Sequence, residues 1–121
     1  MKKTILVLLV ILVLILSVFI GCKELLGMSK EDRVKEFAKA LNNSNRNAMI
    51  KEHFHPSGSY YGMSDAELAN DFPKGSGYSA SNVSVSGNNV TATINGPASK
   101  PNWTFNMKED GKDDWKINSY N

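Results

Sequence analysis

Two histidines separated by one residue are the most conspicuous candidates for chemistry in this sequence. His53 and His55 directly precede Pro56. Neutral imidazoles at this spacing can ligate zinc or copper if the fold supplies a third ligand. No spacing marks that ligand, and Asp65 or Glu67 would be an arbitrary choice. We therefore predict no metal and no cofactor, and we interpret the pair as ordinary polar residues at the end of a short helix.

The same histidines could act as general acids or bases, for example with Asp71. Nothing in the sequence brings these three side chains together. We therefore predict that the protein is not an enzyme, and we keep an enzyme based on His53 and His55 as the alternative.

Four aromatic residues could form a rim that contacts a ligand, because aromatic side chains combine a large contact area with a polar group. They are Tyr60, Tyr61, Tyr78 and Trp103. Packing in the core explains Trp103 equally well. The candidate ligand-binding residues are these four together with His53 and His55.

An acidic cluster near the C-terminus is a weaker candidate. Glu109, Asp110, Asp113 and Asp114 could bind calcium, but their spacing matches no known calcium-binding loop. We interpret the cluster as a solvated turn.

The only cysteine, Cys22, follows a segment typical of secretion signals. Met1-Lys2-Lys3 is positively charged, and Thr4 to Ile20 is almost purely aliphatic. As a helix this apolar run would span about 25 Å, less than the roughly 30 Å of a bilayer's hydrocarbon core. The length favours a signal peptide over a permanent membrane span, although an uncleaved N-terminal membrane helix is the alternative.

The four residues Phe19-Ile20-Gly21-Cys22 resemble the lipobox of bacterial lipoproteins, although Phe19 stands where Leu is usual. The resemblance implies a diacylglycerol thioether on Cys22 and cleavage after Gly21. We expect a signal peptide at 1–21, a lipidated tether at 22–28 and one domain at 29–121. Two or three acyl chains would anchor the protein stably in the cell membrane or outer membrane, with the domain outside the cytoplasm.

The charge of the mature chain excludes one class of partner. Removing Lys2 and Lys3 from the 14 basic residues leaves 12, which equals the 12 acidic residues. A neutral surface of mixed charge lacks the basic patch on which binding to nucleic acids depends. We expect no nucleic-acid partner.

Three helices are predicted in the first half of the exported part. Ser29 is an N-cap for a helix from Lys30 to Leu41 whose apolar stripe includes Phe37, while Arg33 and the other charged residues face water. A second helix is predicted over 47–54. Ser64 and Glu67 form a capping box that opens a third helix ending near Asp71.

The second half has the period of two that is typical of strands. Val83 and Val85 are followed by Val90, Ala92 and Ile94 across a turn at Gly87-Asn88-Asn89, which predicts a hairpin. A second hairpin turns at Asp110-Gly111 and places Trp103, Phe105, Met107, Trp115 and Ile117 on one face. The expected fold is α+β, with N-terminal helices packed on one face of a curved antiparallel sheet of about four strands.

This order of elements resembles small secreted proteins of the NTF2-like, cystatin-related fold. The resemblance includes Phe37, Leu41, Phe54-x-Pro56 and the terminal Trp115-Lys116-Ile117, and it covers about residues 29 to 120. It implies helices in the concavity of a curved sheet. Some members enclose a pocket, but about four strands is fewer than fuller members have.

These observations lead to one expectation and two alternatives about function. We expect a lipoprotein of the bacterial cell envelope, held to its membrane through Cys22, that binds a small ligand or an envelope or host protein. The alternatives are the enzyme that uses His53 and His55, and an inhibitor of a host or rival protein.

Overall fold

A computed structural model describes residues 27–121, so the expected signal peptide at 1–21 and the expected lipidation site Cys22 lie outside the described residues. Within residues 27–121, no helix has the length and apolar character needed to cross a membrane. The helices are α1 (Lys30–Ala40), α2 (Arg46–Lys51), a short 3₁₀ helix (Ser59–Gly62) and α3 (Asp65–Asp71). The strands are β1 (Ser79–Ser86), β2 (Asn89–Asn95), β3 (Asn102–Glu109) and β4 (Trp115–Tyr120).

Side-chain caps start two of the helices where the sequence predicts them. Ser29 Oγ accepts a hydrogen bond from the Asp32 amide at 3.2 Å, which satisfies a donor that has no partner inside α1. Ser64 Oγ accepts from the Glu67 amide at 3.2 Å and so begins α3. Helix α2 ends at Lys51, three residues earlier than predicted, because Glu52 and His53 form a turn and Phe54 then forms a parallel bridge with Ile117 of β4.

The four strands form one antiparallel sheet in the order β1-β2-β3-β4. Both predicted hairpins are present, and Gly87 and Gly111 take positive φ angles of 59° and 84° in their turns. The predicted α+β class and the four-stranded antiparallel sheet are therefore confirmed.

A bulge in β1 interrupts the predicted alternation. Ser81 pairs with Thr93 and Ser84 pairs with Thr91, so Asn82 and Val83 both lie opposite the one residue between those partners. Asn82 adopts a left-handed conformation, with φ of 51°, to accommodate the extra residue. The bulge leaves Val83 half-buried on the core side of the sheet.

The core joins the apolar stripe of α1 to the inner face of the sheet. The Phe37 ring lies with its centroid 5.6 Å from that of Phe54 and 5.7 Å from those of Phe72 and Phe105, in edge-to-face arrangements. Tyr120, which the sequence reasoning did not assign to the core, is buried among these rings. The space between α1 and the sheet is thus filled by aromatic side chains.

The prediction that Arg33 faces water is wrong, because Arg33 is only 7% exposed. Its Nε donates to the Trp115 carbonyl at 2.7 Å, and its Nη2 forms an ion pair with Asp114 at 2.6 Å. Its Nη1 lies 2.9 Å from His53 Nδ1. These three acceptors replace the water that the guanidinium loses on burial.

Candidate functional site

A half-open cleft of about 270 Å³ lies between α2 and the chain around the 3₁₀ helix, and we call it the tyrosine cleft. Residues of α2 that line it include Asn47 and Lys51, and Tyr60 and Tyr61 line the opposite side. Phe54 also lines it and is itself buried, so the cleft reaches the aromatic core. The cleft therefore combines an apolar interior with polar groups at its edge, as small-molecule sites do.

Tyr60 is held in place by the core. Its ring centroid is 4.7 Å from that of Tyr120 and 6.2 Å from that of Phe54. Its hydroxyl donates to the Tyr120 carbonyl at 3.2 Å. These contacts fix one wall of the cleft before any ligand binds, which lowers the entropic cost of binding.

Tyr61 and Lys51 supply the electrostatic character of the cleft. The Lys51 ammonium lies 4.7 Å from the centroid of the Tyr61 ring, in a cation–π contact. Among the described residues that line the cleft, Lys51 alone is charged. A ligand with a flat or apolar body and a negative group would find a complementary surface here.

The other two predicted rim residues are not part of the tyrosine cleft. Tyr78 is 3% exposed and Trp103 is 4% exposed, so both belong to the core. The Trp103 indole donates to the Lys100 carbonyl at 2.9 Å, and the Tyr78 hydroxyl donates to the Pro73 carbonyl. Burial raises the pKa of Tyr78. The predicted rim is therefore split, and only its Tyr60–Tyr61 half lies at a cleft.

The two histidines have different partners. His53 Nδ1 faces the Arg33 guanidinium, which can only donate, so this nitrogen accepts and carries no proton. Burial and the charge of Arg33 lower the pKa of His53 to about 4. His55 Nδ1 accepts from the Ser57 amide at 3.0 Å, and His55 Nε2 donates to the Glu109 carbonyl at 3.1 Å.

The carboxylates that could have joined the histidines are engaged elsewhere. Asp65 pairs with Arg46 at 3.3 Å and with Lys74 at 3.2 Å. Asp71 accepts from the Tyr120 hydroxyl at 3.0 Å. Among residues 27–121, no three or more His, Cys, Asp or Glu side chains are grouped so that they could hold a metal ion.

The pair of Asp71 and Tyr120 is a partly buried polar contact that the sequence did not reveal. Burial of the Tyr120 hydroxyl, reinforced by the charge of Asp71, raises the pKa of Tyr120 above its usual range. The hydroxyl therefore stays protonated and donates. Its role is to tie β4 to the end of α3.

The acidic cluster is divided among separate contacts rather than converging on one point. Asp114 Oδ1 accepts from Arg33 at 2.6 Å and from the Met28 amide at 3.0 Å. Asp110 pairs with Lys116 at 2.7 Å. The Trp115 amide also donates to the Met28 carbonyl at 2.9 Å. Asp114 and Trp115 together therefore hold Met28 against the start of β4.

Comparison of the chain with models of known protein families, with curated proteins and with solved structures finds no match.

Proposed function

We propose that this chain is a membrane-anchored lipoprotein of the bacterial cell envelope and that its domain is a binding module for a small ligand in the tyrosine cleft. The membrane part of the proposal depends on the lipobox-like residues that end at Cys22. The observation that carries the binding part is the half-open cleft whose Tyr60 wall is held by the aromatic core.

A finer fold proposal accompanies this function. Helices that come first and a one-faced antiparallel sheet that follows support an NTF2-like, cystatin-related arrangement. In such folds a ligand can occupy the space between helix and sheet. Here Phe37, Phe72 and Phe105 are fully buried in that space, so a ligand has room only at its edge. The tyrosine cleft lies where the aromatic core reaches the surface at Phe54.

The cleft favours a ligand with an aromatic or aliphatic body and a negative group. The body would contact Tyr60, Tyr61 and the buried Phe54, and the negative group would lie near the Lys51 ammonium. The side chain of Asn47 offers both a donor and an acceptor at the same edge.

The enzyme alternative has little support in the site. Both Nδ1 atoms of the histidines already accept hydrogen bonds from protein groups, and neither histidine lines the tyrosine cleft. Binding of a host or rival protein would use the same surface around Tyr60 and Tyr61.

Anilinonaphthalene sulfonate, an aromatic anion, is a suitable first probe for the cleft. We expect saturable fluorescence enhancement with the folded domain, weakened about tenfold by Lys51→Gln, because the contact between the sulfonate and the ammonium is lost. Tyr61→Ala should have a similar effect. Lys112→Gln removes the same charge from an exposed turn outside the cleft and is the matched control. Equal affinity in all four proteins would contradict the proposed site.

Lipidation is tested separately in cells. Cys22→Ala should block incorporation of a palmitate analogue and leave a larger, unprocessed precursor, because only the thiol can form the thioether. Cys22→Ser is a second variant that keeps the shape of the residue but removes the sulfur. Equal labelling of the wild type and both variants would contradict lipid anchoring while leaving the proposed cleft untouched.

A further inference from the structure

The side of the sheet that faces away from the core is almost without charge over β1, β2 and β3 up to Asn106, and we call this part the outer sheet face. Lys108 and Lys116 lie on the same side, beyond its edge at the end of β3 and on β4. From Ser79 to Asn106, a stretch that covers β1, β2 and most of β3, Lys100 is the only charged residue. Charged residues make up 21% of the whole chain, and helix α1 has them at seven of its eleven positions. The outer sheet face therefore differs in composition from the charged surface of α1.

The strand register aligns hydroxyl and amide side chains into rows across this face. Val90, Ala92 and Ile94 of β2 are buried, so the residues between them project to the other side. Pairing with β1 and β3 extends each of these residues into a row of three. The rows are Ser84 with Thr91 and Thr104, and Ser81 with Thr93 and Asn102.

The side chains in these rows hold one another in position. Asn82 Nδ2 donates to Thr93 Oγ1 at 3.4 Å, and the Thr93 hydroxyl donates to Asn102 Oδ1 at 3.2 Å. Asn95 Nδ2 donates to Ser81 Oγ at 3.2 Å. A ligand would therefore meet donors and acceptors whose rotamers are already restricted, which reduces the ordering cost of binding.

The same rows border a depression in the surface. It has a volume of about 530 Å³, and its lining includes Thr91, Thr93, Asn102 and Thr104. Asn82, which the bulge places in a left-handed conformation, also lines it. Bulges commonly re-aim a side chain at a binding site. This one places the Asn82 amide beside the hydroxyl of Thr93.

The composition of the face selects among classes of ligand. Protein interfaces are centred on aromatic, Met or Arg anchors that the partner can cover, whereas Trp103, an aromatic residue in the lining of the depression, is only 4% exposed. Nucleic acids and charged ligands require opposite charges, and among the described residues that line the depression Lys100 alone is charged. Neutral hydroxyls and amides match a ligand that itself presents many neutral hydroxyl or amide groups, and covering them costs far less than covering a charge.

We propose that the outer sheet face binds an uncharged glycan chain, which lies along the depression and hydrogen-bonds to Thr91, Thr93, Asn102 and Thr104. This site lies on the sheet and shares no lining residue with the tyrosine cleft. It depends neither on the ligand of that cleft nor on lipidation.

The test is a titration followed by amide NMR spectra, which detect weak binding and locate it. The full-length protein is kept in micelles of a detergent without a sugar headgroup, and maltohexaose, cellohexaose and chitohexaose are added separately. At least one of them should cause saturable shifts at Thr93 and Asn102 while the Tyr61 signal stays unchanged.

Variants then separate a specific site from a general surface effect. Thr93→Glu places a negative charge at the middle of the row formed by Ser81, Thr93 and Asn102. It should weaken binding about tenfold, because the carboxylate must be desolvated beneath a neutral ligand. Thr93→Ser keeps the hydroxyl and should retain the affinity. Ser44→Glu adds the same charge at an exposed turn residue and is the control. Asn102→Ala, which removes an exposed amide, repeats the test if Thr93→Glu does not fold.

Three outcomes would overturn the proposal. The first is the absence of shifts with all three oligosaccharides. The second is a set of shifts confined to the tyrosine cleft, which would assign the glycan to that site instead. The third is a dimer that Thr93→Glu dissociates, which would make the outer sheet face an interface between copies of this chain.

Discussion

Replacing Phe37 by alanine is the sharpest test of how α1 is packed. Phe37 is fully buried, and its ring makes edge-to-face contacts with Phe54, Phe72 and Phe105. Truncating a buried Phe to Ala costs about 3 to 5 kcal/mol, and aromatic pairs add about 0.5 to 1.5 kcal/mol each beyond the buried area. We therefore expect a loss of about 4 to 5 kcal/mol. That is a large share of the roughly 5 to 15 kcal/mol by which domains are stable.

Urea denaturation of the exported fragment 23–121, followed by circular dichroism, measures this loss. Met49→Ala is the matched control, because Met49 also lies on a helix but is 40% exposed, and we expect it to cost less than about 1 kcal/mol. If Phe37→Ala also costs less than about 1 kcal/mol, Phe37 is not in the core and the packing of α1 described above is wrong.

Three further predictions concern Trp115, at the start of β4, and the two histidines. Trp115→Ala should cost only about 2 kcal/mol, less than a fully buried aromatic, because Trp115 is half-buried with the Lys30 ammonium 4.2 Å from its ring centroid; urea melts give the value. The folded-state pKa of His53, about 4, lies below the ordinary 6.5, so stability should be full above pH 6.5 and fall as the pH drops towards 4. His53→Gln should flatten that part of the pH profile, and an unchanged profile would contradict the assignment. Calorimetric titration with zinc should show no saturable binding by fragment 23–121, and submicromolar binding that a His53→Ala, His55→Ala double variant abolishes would support the enzyme alternative.

Features governed by neighbouring residues could be predicted from the sequence. Ser29 and Ser64 cap helices because their side chains reach amides three residues later, and the turn at Asp110-Gly111 needs a residue that tolerates positive φ. The alternation of apolar and polar residues in β2 and β3 predicted correctly which side of each strand is buried. These elements are specified by short-range geometry.

Features that depend on distant partners could not be predicted. The polar pattern of α1 assigned Arg33 to water, but its partners Asp114 and Trp115 are 81 and 82 residues away in the sequence. Tyr120 was missed for the same reason, because the bulge in the pairing of β3 with β4 changes which side of β4 it faces. In the same way, Tyr60 and Tyr61 could be named from the sequence as candidate ligand-binding residues. Asn47 and Lys51 of α2, which line the opposite side of the cleft, could not.

For the outer sheet face, the sequence predicts the polar character of the surface but not the arrangement of its side chains. Alternation predicted that one side of the sheet would be polar, which any solvated face satisfies. What separates the outer sheet face from such a surface is the cross-strand register, which places Thr91 beside Thr104 and Thr93 beside Asn102. A slip of one residue would send these side chains into the core and expose Ala92. The register that buries the aromatic core therefore also assembles the hydroxyl rows, so binding at this face requires the complete sheet and should be lost with it on unfolding.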